Sequence, residues 1–168
     1  MKSLTREQFS SLLKEQRIKT RLIRELRFNP DEITDWDDRE MLAVGTRSSA
    51  EGLLLVQTDS FYVIPYELNT GIADKTSGRS KPITCDFCYT WQRGGNAARI
   101  TFRRASDNHT FSYLCCGDLR CSLHVRNLTP ESILSRTQLH EDITTEQRIV
   151  RHMRKLDEVI LTLGAKPI

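Results

Sequence analysis

Aromatic residues make up only 7% of this 168-residue chain, against 38% hydrophobic residues in all. A core must therefore rest on Leu, Ile and Val. No apolar run approaches the roughly 18 residues that a membrane span requires, which excludes an integral helical membrane protein. Residues 1–20 mix Lys, Arg and Glu with scattered apolar positions and hold no secretory h-region, so the expected location is the cytoplasm. Charge of one sign is also lacking: 25 Lys and Arg oppose 22 Asp and Glu, a formal +3. So mild a balance establishes no nucleic-acid partner, though it leaves one open. There is no internal repeat, no HExxH, no H-x-E deaminase signature and no nucleophile–base pair. Gly94-Gly95 matches no phosphate-binding loop. Nothing marks an enzyme or a small-molecule substrate.

What is present is unevenly placed. Residues 31–40 carry six acids and one base, Arg39, whereas residues 75–126 carry nine bases and three acids. Six of those bases are arginines from Arg93 onward, whose planar forks suit carboxylate or phosphate. They read either as solvated faces or as a basic surface that meets an acidic protein or RNA. Residues 69–82, rich in Gly, Ser, Thr, Lys and Asp, read as a flexible loop.

The length favours one domain. Thr5 with Gln8 forms a capping-box pattern, and Phe9, Leu12, Leu13, Ile18, Leu22 and Leu26 recur at helical spacing up to Asn29-Pro30. An N-terminal helix is expected within residues 1–30, and residues 31–168 form the remaining unit. Residues 52–57 and 61–68 read as a hairpin, as do 98–104 and 110–115, with Arg99, Thr101 and Arg103 opposite Ile100 and Phe102. Thr129-Pro130 opens a short helix. In the last helix Ile149, Met153, Leu156, Ile160 and Leu163 form a stripe that packs on the domain's own core, and Gly164 and Pro167 stop it.

Five cysteines, an odd number, suggest metal rather than disulfides in a reducing compartment. Cys85 and Cys88 form C-x2-C; after a gap of 27 residues Cys116 and Cys121 form C-x4-C, with Cys115 offering C-x5-C instead. Two short pairs supply four thiolates for tetrahedral zinc. Knuckle, hairpin and helix, in that order, make a treble clef. Metal-free buried thiols, a redox pair and an iron–sulfur cluster are the alternatives. His124 is a conceivable fourth ligand, but with a fifth cysteine at hand it reads as a surface or interface residue. Four thiolates close a site, so the metal is expected to be structural.

The run Cys116-Gly117-Asp118-Leu119-Arg120-Cys121-Ser122-Leu123-His124-Val125-Arg126 resembles the elongation factor G-binding, treble-clef zinc-finger family, which includes the fusidic-acid-resistance proteins. The family segment reads about C-A-D-L-A-C-S-L-Y-V-R-G. Trp36-Asp37-Asp38, the C-x2-C pair and the run from residue 139 to 157 are similar as well. Asn127 stands where the family has glycine, and Cys115 where an apolar residue is common. The resemblance implies an α+β treble-clef fold with β-hairpins, an N-terminal helix and a long C-terminal helix. It also implies one structural zinc held by Cys85, Cys88, Cys116 and Cys121, with Cys116 chosen over Cys115. Its implied partner is elongation factor G, bound on or near the ribosome by a short family member built mainly of the zinc domain. On this reading the docking surface is expected around Phe87, Arg99, Arg103, Arg104 and Arg126, with Phe87 pushed outward by the knuckle. The alternative is an RNA- or ribosome-binding zinc module that uses the arginines on phosphate.

Overall fold

The computed structural model of the protein describes residues 1–16, 18–70, 72, 78, 82–132 and 142–168. Helices α1 (Arg6–Glu15) and α2 (Thr20–Glu25) precede strands β1 (Met41–Gly45), β2 (Glu51–Gln57) and β3 (Phe61–Thr70). A small pair follows, β4 (Ile83–Thr84) with β5 (Trp91–Gln92), then β6 (Ala97–Arg103) and β7 (Thr110–Cys116). Helices α3 (Cys121–Val125) and α4 (Thr145–Leu163) complete the order. Five strands form one antiparallel sheet in the order β1-β2-β3-β6-β7. Both expected hairpins are there. The chain is thus an α+β protein with a treble-clef cysteine cluster.

Because side chains alternate across a strand, the sheet has two faces with different coverings. Leu54, Val56, Ile64, Tyr66, Leu68, Ile100 and Phe102 lie in one core with the cysteines and with Leu156, Val159, Ile160 and Leu163 of α4. Leu42, Val44, Leu53, Leu55 and Val63 face the other way and meet Phe9 and Leu13 of α1, with Leu22 and Ile23 of α2 beside them. That second covering stops at β3. Beyond it, Glu67, Asn69, Arg99, Arg103, Thr110 and Ser112 are exposed. One half of this face is therefore left bare and polar.

The N-terminal segment departs from the expected single helix. Thr5 and Gln8 do form the reciprocal capping box, but α1 ends at Glu15 and α2 restarts at Thr20. A continuous helix from residue 6 to 26 would run about 30 Å at 1.5 Å per residue. The longest strand pair beneath it, seven residues, spans only about 23 Å. Breaking the helix lets Leu22 and Ile23 turn back onto the face that Phe9 covers. The short helix expected at Thr129-Pro130 is a 3-10 turn, Pro130–Ser132, and Thr129 Oγ1 does not cap it, meeting no polar partner among the described residues.

α4 begins at a second capping box, Thr144 with Gln147, and ends where Gly164 takes φ +60°, a left-handed turn that glycine adopts without steric cost. Of its apolar stripe, Leu156, Ile160 and Leu163 are buried, Ile149 packs on the core edge and Met153 is half-exposed. Val159 and His152 belong to the same buried face. One flank of α4 holds the cysteine region: the Arg151 guanidinium lies 4.0 Å over the Tyr89 ring and the Lys155 ammonium 4.9 Å over Tyr113. Replacing Leu156 by Ala should cost about 2–5 kcal/mol in chemical denaturation, as buried large-to-small changes do. A cost below about 1 kcal/mol would mean that α4 is not the lid of this core.

Candidate metal centre

The four cysteines sit on three elements that the sheet and α4 press together. Cys85 and Cys88 flank the knuckle after β4, Cys116 ends β7, and Cys121 opens α3. Two residues in these turns, Tyr89 (φ +59°) and Leu119 (φ +52°), adopt the left-handed backbone that bulky side chains avoid. Gly117 has no room for a side chain: a Cβ there would meet Gly95 O at 3.1 Å and Asn96 Oδ1 at 3.2 Å.

All four sulfurs lie within 4.8 Å of one another and are buried. Cys85 Sγ is 3.7 Å from Cys121 Sγ, and Cys88 Sγ is 3.4 Å from Cys116 Sγ. A tetrahedron with zinc–sulfur bonds of about 2.3 Å has edges of about 3.8 Å, so the sulfurs fit a single tetrahedral ion. An iron–sulfur cluster would put several iron and sulfide atoms between its thiolates and needs more space than this. Neighbouring sulfurs, and then burial, push the Cys121 thiol well up. Burial disfavours the Cys88 thiolate, yet the other three sulfurs and His124 outweigh it and hold that thiol down. Four such groups cannot all be thiolates without a cation among them, and a divalent ion supplies that charge. Cys115 is different. Its thiol, buried and raised first by that burial, stands outside the group and packs in the core.

Around the sulfurs lie further polar groups, of which the sequence singled out only His124. Phe87 N–H donates to Cys85 Sγ at 3.4 Å, and Thr90 Oγ1 lies 2.9 Å from Cys88 Sγ. His124, expected at a surface, is fully buried. Its Nδ1 is 3.2 Å from Cys116 Sγ, and its Nε2 faces Asp118 Oδ2 at 3.2 Å, out of line for a hydrogen bond but close enough for an ion pair. Burial lowers the His124 pKa, but Asp118 and Cys88 outweigh it and raise the group to about 9. The turn that ends α3 explains a departure from the family sequence. Asn127 has φ +57°, a position glycine fills most easily and asparagine next.

The expected docking residues divide. Phe87 is fully buried, not outward: its ring meets Tyr113 edge-on at 5.7 Å, because the knuckle lies beneath α4 rather than at the surface. Arg126 is a brace. It reaches Glu40 Oε2 at 2.9 Å and the Ser122 carbonyl at 2.9 Å, with Asp38 at 3.6 Å, tying the cysteine region to the acidic segment. Arg104 is chelated by Asp107, at 3.0 and 2.6 Å, and stacks on Phe111. Arg99 and Arg103 are exposed and have no ion pair among the described residues. Much of the acidic run is also matched within the chain, since Asp35 grips Arg39 at 2.8 and 2.9 Å. The start of the 139–157 run and most of the expected loop at 69–82 lie outside the described residues.

A buried knot locks this arrangement. His152 Nδ1 lies 3.0 Å from the Phe87 carbonyl, and its Nε2 lies 3.2 Å from Ser122 Oγ. Ser122 Oγ in turn accepts the Glu40 and Met41 backbone N–H groups at 3.1 and 3.0 Å. Since Phe87 O can only accept, Nδ1 carries the proton and Ser122 donates to Nε2. Four parts of the chain meet on one neutral imidazole.

A family model, the FBP C-terminal treble-clef zinc-finger, matches residues 13–162. The chain belongs to this family. Its treble-clef zinc finger and the four close, buried cysteines fit one structural zinc. No curated protein and no solved structure matches the chain. No helix among the described residues is long and apolar enough to cross a membrane.

Metal analysis of the purified protein should find one zinc per chain, lost in Cys116→Ser and kept in Cys115→Ser; the reverse pattern would move the ligand to Cys115. Burial lowers the His152 pKa below its ordinary 6.5. The unfolded chain therefore takes up this proton first as pH falls, so the stabilisation is complete above about 6.5 and declines below it. With zinc in excess, the melting temperature should fall more steeply below pH 6.5 in wild type than in His152→Gln. Equal slopes would refute a neutral buried His152.

Proposed function

We propose that this chain is a binding protein rather than an enzyme: a zinc-finger protein of the cytoplasm that docks on elongation factor G and modulates translation at the ribosome. The observation that carries the binding half is the donor set. Four buried thiolates fill every position of a tetrahedral ion and leave none for a substrate or an activated water. What supports the partner is the resemblance of residues 116–126 to the elongation factor G-binding proteins, together with membership of the FBP family. A role in relief of fusidic acid inhibition belongs to the same reading.

Of the expected docking residues, only Arg99 and Arg103 are exposed and without an ion pair among the described residues. Arg99 and Arg103 stand on the bare half of the sheet, with Thr101 between them and hydrogen-bonded at 2.8 Å to Ser112 of the edge strand. Arginine forks on a rigid sheet suit carboxylates on a folded partner. Titration of labelled protein with elongation factor G should give saturable binding that weakens about tenfold or more in the double variant Arg99→Ala, Arg103→Ala, with zinc retained. Wild-type affinity in that variant would remove this surface from the reading. Absence of binding by the wild type, with steeply salt-dependent binding to ribosomal RNA instead, would favour the nucleic-acid reading.

A further inference from the structure

Two ligand sulfurs receive side-chain hydrogen bonds, and the groups that give them are held from behind by a single connected set of polar contacts. Its polarity can be read from one fixed donor. The Asp118 backbone N–H donates to Asn96 Oδ1 at 2.9 Å, so Asn96 must present its amide nitrogen to the other side. That nitrogen lies 2.6 Å from Gln92 Oε1, which turns the Gln92 amide nitrogen toward Thr90 Oγ1 at 2.7 Å. Thr90 therefore accepts from Gln92, and its own hydrogen points to Cys88 Sγ at 2.9 Å rather than to Cys116 Sγ at 3.8 Å. On the other branch, Asp118 faces His124 Nε2, and His124 Nδ1 points to Cys116 Sγ at 3.2 Å. Thr90, Gln92 and His124 are buried, Asn96 half-buried. The close approach that Gly117 permits brings the Asn96 loop against the ligand turn, and the Gly117 N–H bonds the Asn96 carbonyl at 2.8 Å.

We propose that Thr90 and His124 are positioning residues of the metal site, and that Asn96 sets both by holding Gln92 on one side and Asp118 on the other. Cys88 and Cys116, whose sulfurs lie 3.4 Å apart on separate elements, each gain a donor that fixes the direction of a sulfur lone pair and withdraws charge from it. Cys85 has only a backbone N–H, and Cys121 has no such donor among the described residues. Retention of the ion thus depends on side chains that never touch it, and it depends on them mostly at one edge of the tetrahedron. Outer partners of this kind change metal affinity by about 10- to 100-fold in other sites.

The test uses the full chain loaded with zinc or cobalt(II). Thr90→Val keeps the shape of the side chain but removes the donor. It should weaken zinc about 10- to 100-fold in competition with a chelating dye and move the thiolate-to-cobalt charge-transfer band to lower energy, because the bare thiolate is more electron-rich. Thr90→Ser restores the donor and should restore both readouts. Asn96→Ala changes a half-buried residue away from the ligands and should move both in the same direction by less. Wild-type affinity and an unmoved band in Thr90→Val would overturn the proposal, as would Thr90→Ser matching Thr90→Val. An Asn96→Ala protein identical to wild type in both readouts would overturn the role of Asn96 even if the Thr90 variants fold poorly.

Discussion

The structure turns on the mutual approach of four sulfurs from chain segments that lie 27 residues apart. Brought together without a cation, they are a buried group of thiols whose protons oppose one another. With one divalent ion they become the link between a two-strand knuckle and the helix that follows β7. The knuckle has few other means of staying in place. Its strands are two residues each, and its buried aromatic residue, Phe87, is held by what it touches rather than by its own secondary structure. Structural zinc sites commonly contribute their binding energy directly to folding, so the position of the knuckle, α3 and the α4 flank is coupled to the ion.

Charge is used inward to a degree that the linear sequence conceals. The acidic run and the arginine-rich zinc region look like two surfaces awaiting partners, but Glu40 and Asp38 meet Arg126, Asp35 meets Arg39, and Asp107 meets Arg104. The Glu40–Arg126 pair is mostly buried and spans 86 residues of sequence, so it closes the acidic segment onto α3. Of the expected docking residues, Arg99 and Arg103 stay exposed, on a polar half-sheet next to a half that the N-terminal helices cover.

Features set by local periodicity were legible in the sequence. The alternation of Ile100 and Phe102 with Arg99 and Arg103 gave the right faces, Gly164 marked the end of α4, and the cysteine spacing marked two pairs of ligands, with the family resemblance choosing Cys116 over Cys115. Features set by distant packing were not. Strand β1 is a five-residue run without clear alternation, too short to distinguish from a buried loop before its partner β2 is known. Phe87 looked like an exposed anchor because knuckle residues often point outward; only the position of α4 shows that this knuckle is covered. Thr90 carries no signal as a single letter, and His124 signalled only a candidate ligand or a surface residue. Their roles arise from a chain of amide and hydroxyl orientations that begins at the backbone of Asp118.

The sulfur positions fit a mononuclear four-thiolate ion with His124 behind the ligands rather than among them. Zinc-edge X-ray absorption on the purified, metal-loaded protein addresses it without any mutation. Four sulfur neighbours at about 2.3 Å and no nitrogen or oxygen in the first shell are expected. Three sulfurs with one nitrogen at about 2.0–2.1 Å would place His124 on the metal and contradict the account.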